Sequence, residues 1–175
     1  VGTSSGSMIA AGLVYGGLTA EEIKDKFYSY RICKEVFPRS IRDDALGVMQ
    51  LQPKYDGKGK RSLIERHIPP HTRLTDTVKD VVFTGYDVDR QECMVIRSWH
   101  AEFGHMLVRD AVDISTAAPA YFPLVRASST GQQIRGIDGG VFANNPTDVA
   151  YAHALRRYGP EADIRILSVG AGIHQ

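Results

Sequence analysis

The sequence is short of several things, and each shortage closes off a class of protein. Only two of its 175 residues are cysteine, Cys33 and Cys93. They are too few for a disulfide framework, lack metal-ligand spacing, and read as ordinary thiols of a reducing compartment. No apolar run approaches the ~18 residues that a bilayer-spanning helix needs. The N-terminus lacks the charged and apolar regions of a signal peptide. Neither sign of charge dominates, with 21 Lys and Arg against 20 Asp and Glu and a net charge of +1. A nucleic-acid partner is not expected, because a surface that tracks phosphates leaves a strong basic excess. These absences leave a cytoplasmic protein as the expectation.

What remains is the composition of a folded domain, 43% hydrophobic and 23% charged, with no internal repeat. Residues 1–175 read as one domain, expected to be incomplete at its N-terminus and open to extension at its C-terminus. The chain opens with Val1 and the small residues Gly2 to Ser7. These run directly into Met8 to Tyr15, a buried helix closing at Gly16-Gly17. That looks like a strand-to-helix turn whose incoming strand is missing, rather than a linker.

Thr19 and Glu22 form a capping box for a helix carrying Ile23, Phe27, Tyr30 and Val36, with Pro38 past its end. Residues 39 to 60 read as irregular, with Asp56 to Lys60 as a polar loop. Leu63, Ile64 and Ile68 suggest a short helix stopped by Pro69-Pro70. Val81 to Tyr86 and Met94 to Ile96 flank a turn at Asp89-Arg90 and predict a hairpin. Leu107 to Ala118 reads as helix, Ile134 to Ile137 as strand, and Ile164 to Gly170 as a buried strand. Asn145-Pro146 supplies an N-cap with proline at the first helical position, and Gly159-Pro160 ends that helix. Strands alternate with helices, which favours an α/β fold with a partly parallel sheet.

Two motifs could carry chemistry. Gly2-Thr3-Ser4-Ser5-Gly6 is a G-x-S-x-G placed immediately before a helix. Glycines at its ends permit a sharp turn that projects the Ser4 hydroxyl, while the Ser5 N–H and the helix N-terminus face a developing oxyanion. Asp138-Gly139-Gly140 follows a strand candidate. It is either a simple turn or a carboxylate at a strand end, where site residues of α/β folds collect. A serine hydroxyl needs a base to take its proton, and Asp138 is the strongest candidate. A triad would need His153 or His174, neither in a diagnostic setting. Lysines beside Gly57 and Gly59 lack the ending of a phosphate-binding loop. The basic stretch from Lys54 to Arg73 is either a solvated face or a contact for anionic headgroups.

Together these residues resemble the patatin-like phospholipase family. Gly2 to Gly6 is similar to its nucleophile elbow, and Asp138 to Pro146 to its aspartate segment. Lys54 to Lys58, Thr84 to Val88 (the central strand), Ala117 to Pro123 and Leu167 to Gly172 resemble further family segments, in the family's order. The resemblance implies a three-layer α/β/α fold with a central, mostly parallel sheet, related to cytosolic phospholipase A2 catalytic domains. It implies a lipid acyl hydrolase with a Ser4–Asp138 dyad, Ser5 N–H at the oxyanion, and Gly2, Gly6, Gly139 and Gly140 shaping the turns. It implies no metal and no cofactor, a lipid or phospholipid substrate, and peripheral membrane contact. The family's glycine-rich oxyanion loop lies upstream of the elbow, and this chain begins at the elbow. Made alone, it is expected to fold poorly or hydrolyse slowly. A Ser4–Asp138–His153 esterase and a silent lipid-binding module of the same fold are the competing readings.

Overall fold

The computed structural model describes residues 1–38, 52–170 and 172. Local signals explain much of the helical part. Helix α1 (Ser5–Val14) starts at the elbow, and α2 (Ala20–Tyr28) is opened by the expected capping box between Thr19 and Glu22. The single helix expected after Thr19 is two. Ser29, in extended backbone, separates α2 from α3 (Tyr30–Val36). The break turns Tyr30 outward, 77% exposed, while Ile23, Phe27, Ile32 and Val36 enter the core.

Helix α4 (Lys58–His67) begins inside the stretch read as a loop. Gly57, at φ 77°, makes the entry turn, and Gly59 packs so tightly on α3 that a Cβ would meet the Glu35 carbonyl oxygen. Glycine here serves helix packing rather than flexibility. Most of the irregular region expected at 39–60 lies outside the described residues.

Four strands form one sheet in the order β2-β1-β4-β3: β1 (Val82–Asp87), β2 (Glu92–Arg97), β3 (Val125–Ser129) and β4 (Gln132–Asp138). The hairpin β1–β2 is as expected, and β4 extends the strand foreseen at 134–137. Strand β3 was not foreseen. Every strand pair is antiparallel, so neither the partly parallel sheet expected from the alternation of elements nor the mostly parallel one implied by the resemblance is what the described strands form. Short turns explain this for β1–β2 and β3–β4, since a parallel pair needs a long crossover. A parallel contact does occur at one place. β4 pairs with β1 only over Gly85–Asp87, and Gly2 occupies the remaining stretch, bridging Phe83 in parallel. There Gly2 N–H donates to Val82 O at 2.9 Å, and Thr84 N–H donates to Gly2 O at 3.3 Å.

Helix α5 (Val108–Ser115) packs across β1, β4 and β3 and against α1 and α4. Val108, Ala111, Val112 and Ile114 all lie at 0% exposure in the same core as Phe83, Ile96, Leu63 and Ile64. The short α6 (Gly140–Ala143) follows β4, and α7 (Thr147–Tyr158) closes at Gly159. Asn145 lies just outside α7, accepting from Thr147 N–H at 3.1 Å, and Pro146 takes the capping position. Residues 161–170 form no strand. Leu167 and Val169 are 88% and 84% exposed, so the buried strand expected at Ile164–Gly170 is absent. No pairing in the sheet receives this segment. Among the described residues no helix is long and apolar enough to cross a membrane.

Candidate active site

Ser4 sits between the Gly2 bridge and the first turn of α1, at φ 54° and ψ −125°. This is a costly conformation for a residue with a Cβ, worth about 1–3 kcal/mol, and it persists only where neighbours enforce it. The neighbours are evident. Gly6 N–H donates to Thr3 O and Ser7 N–H to Ser4 O, both at 2.9 Å. At Gly2 a Cβ would come within 2.4 Å of Gly6 O, so only glycine lets the turn close. Gly6 itself faces open space. The Ser5 N–H, at the head of α1, has no backbone acceptor among the described residues.

Two buried hydroxyl relays hold the turn from either side. Ser7 Oγ donates to Gly2 O at 2.8 Å and lies 2.6 Å from Ser115 Oγ. Since the single Ser7 proton is spent on Gly2, Ser115 is the donor in that second bond. Likewise Thr3 Oγ1 donates to Ala143 O at 2.8 Å and receives from Thr84 Oγ1 at 2.7 Å. These relays tie the elbow to α5, β1 and α6. The sequence reading missed all four side chains. Thr84 had a signal, a hydroxyl interrupting the apolar run Val81–Phe83, but the others look like ordinary small polar residues.

Asp138 ends β4 opposite Gly85, and it is 3% exposed. Its N–H donates to Ala117 O at 3.0 Å, just past α5, and its Oδ1 accepts from Gly140 N–H at 2.8 Å. Gly139 presses on β1 so closely that a Cβ would stand 2.2 Å from Thr84 Oγ1. Burial pushes the Asp138 carboxyl above its ordinary range. The Ser4 side chain, the Gly140 N–H and the charge of Lys60 pull it back. Ser4 and Asp138, 134 positions apart in the chain, are near enough in the fold for the Ser4 side chain to act on the Asp138 carboxyl.

His153 is elsewhere. Its ring faces Trp99 at 6.3 Å, and burial with the nearby charges of Arg97 and Arg156 lowers its pKa. No interaction joins it to Ser4 or Asp138 among the described residues, and His174 lies outside them. The basic stretch is largely committed internally. Lys60 is buried on Asp113, Arg61 bonds Asp110 and Asp113, and Arg66 pairs with Glu35. Among the described residues no cluster of His, Cys, Asp or Glu could hold a metal ion.

The family model for patatin-like phospholipases matches residues 1–151, and the chain belongs to that family. It is 30% identical to patatin-like protein 2 of Arabidopsis thaliana, over 99% of this chain and 49% of that protein. Patatin-like protein 1 of Oryza sativa subsp. indica is also 30% identical, over 89% of this chain and 41% of its own length. A cGAMP-activated phospholipase of Escherichia coli (strain TW11681) is 26% identical over 97% of this chain and 49% of its own length. The chain therefore spans about half the length of the curated relatives it matches.

Proposed function

We propose that the protein is a serine lipid acyl hydrolase in which Ser4 is the nucleophile and Asp138 the general base, with residues 1–175 acting as one catalytic unit. The observation that carries this reading is Ser4, held at a positive φ at the head of α1 with its side chain close enough to the buried Asp138 carboxyl to favour the ionised form. Family membership, which implies lipid acyl hydrolysis, supports the substrate class.

The chemistry follows from the geometry. Ser4 Oγ attacks the carbonyl carbon of a fatty-acyl ester while Asp138 accepts its proton. The resulting oxyanion takes a hydrogen bond from Ser5 N–H in the positive field at the head of α1. Collapse of the tetrahedral species expels the alcohol, which takes the proton from Asp138. Water then loses a proton to Asp138 and attacks the acyl-enzyme. The fatty acid departs, and Ser4 Oγ regains the proton. Because burial raises the Asp138 carboxyl, the acid limb of activity lies above the usual carboxylate range: the base works only where it is ionised.

A fluorophosphonate probe, which needs an activated serine, tests the reading in the natural full-length protein. The expected adduct is on Ser4, located by mass spectrometry. Ser4→Ala abolishes it, and Asp138→Asn slows it by at least about a thousandfold. A folded protein that takes no adduct would instead be the silent lipid-binding module. Loss of labelling on His153→Ala would restore the triad.

A further inference from the structure

Lys60 is a buried cation for which the proposed reaction cycle has no use. Its side chain is 3% exposed, and its Nζ donates to Asp113 Oδ1 and to Asp113 O, both at 2.9 Å. The same ammonium stands 4.8 Å from the centre of the Phe122 ring. Asp113 O is one of the carbonyls that the end of α5 leaves without a helical partner, so a cation there also meets the negative end of the helix dipole. Four residues further on, Ala117 O receives the Asp138 N–H. One short stretch of backbone thus carries the anchor of Lys60 and the anchor of the base.

We propose that Lys60 is a positioning residue for the general base: it fixes the end of α5 on which Asp138 is docked, and through that placement its buried positive charge acts on the Asp138 carboxylate. This rests on the dyad reading above. Around Asp138, the elbow before α1 contributes the Ser4 hydroxyl, the turn into α6 the Gly140 N–H, β1 Gly85, and α4 Lys60. Around Lys60 itself stand Asp113 of α5 and Arg61 of its own helix. The coupling is mutual. The Lys60 charge favours ionised Asp138, and Asp138 favours protonated Lys60, whose pKa burial otherwise lowers.

The test separates charge from tether. Lys60→Gln keeps amide donors for Asp113 but removes the charge, and Arg61 still holds Asp113 Oδ2 at 3.1 Å. The double variant Lys60→Met/Asp113→Leu replaces the buried ion pair with apolar side chains, an exchange that folds often tolerate. With the charge gone, ionised Asp138 is harder to form. The acid limb of fluorophosphonate labelling moves to higher pH by about one unit in both variants, with the high-pH plateau kept within about threefold. A limb that stays in place in a folded variant overturns the proposal. So does an even loss of rate at every pH, or failure of both variants to fold, since each makes Lys60 a structural residue only. Carboxyl carbon NMR of Asp138 follows the same titration without needing a reactive serine. An Asp138 that titrates with Lys60 while Ser4 takes no label would sink the dyad alone.

Discussion

In sequence, the elbow at Gly2–Ser7 reads as a turn whose incoming strand is missing and Ile164–Gly170 as a buried strand, yet the structure ties down the first and leaves the second exposed. The elbow is tied by two backbone bonds to β1, two helix-entry bonds of its own, and two hydroxyl relays. The later segment carries as much apolar character, but Ile166, Leu167 and Val169 are 44%, 88% and 84% exposed. Its polar contacts are peripheral: Ser168 Oγ to Thr147 Oγ1 at 3.0 Å, and Arg165 to Asp163 at 3.1 Å. The difference lies in the receiving surface. β4 leaves the first half of β1 unpaired, and Gly2 meets that gap in register. Hydrophobic alternation specifies a strand only where an edge with unmet N–H and C=O groups lies within reach.

If the elbow owes its shape to that docking, crowding the docking surface should do the most damage. Gly139→Ala is the largest expected effect. Its Cβ would lie 2.2 Å from Thr84 Oγ1 and 2.5 Å from the Thr84 carbonyl carbon. The backbone cannot rotate away from such a contact, so β4 must shift from β1, and Thr84 leaves Thr3. A loss of about 3 kcal/mol in denaturant unfolding is expected, together with loss of Ser4 labelling at temperatures where the protein stays folded. A variant of parental stability and reactivity would mean that the Thr84 relay does not set the elbow.

The same contrast explains how much was legible in sequence. The capping box at Thr19–Glu22, the β1–β2 hairpin, and the Ser4 and Asp138 turns are written in local chemistry, and the structure has them where expected. Features set by distant neighbours were not legible. Strand sense depends on which edges meet, so alternation of elements suggested a partly parallel sheet where two hairpins and the meeting of β1 with β4 make an antiparallel one. β3 lacked a strong apolar run, although the Thr130-Gly131 turn before β4 was a usable sign, with both residues at positive φ. Lys60 looked like one more member of a solvated basic stretch. Only the fold places it over Phe122 and against Asp113.

Smaller perturbations sharpen the comparison. Ser7→Ala removes the donor to Gly2 O and strands the buried Ser115 hydroxyl. The cost expected in chemical denaturation is about 2 kcal/mol, with a slower labelling rate as the readout specific to the elbow. Ser7→Thr, which restores a hydroxyl, should recover part of that rate. An unchanged rate in Ser7→Ala would reduce the Ser115 relay to packing.

The smallest expected effect is at Leu167. A leucine in a packed strand loses about 2–5 kcal/mol on truncation, because the transfer energy and the cavity both count against it. At 88% exposure Leu167 has little transfer energy to lose and no cavity to leave. Leu167→Ser should therefore shift the unfolding free energy of this chain by less than about 0.5 kcal/mol, measured against Ile64→Ser, where the side chain is 1% exposed. A loss above about 1 kcal/mol at Leu167 would place that side chain in a packed environment. The segment would then have found an edge after all, and the contrast with the elbow would be one of degree. A neutral result keeps the two regions apart and locates the stability of the fold in the elbow, α5 and the four paired strands.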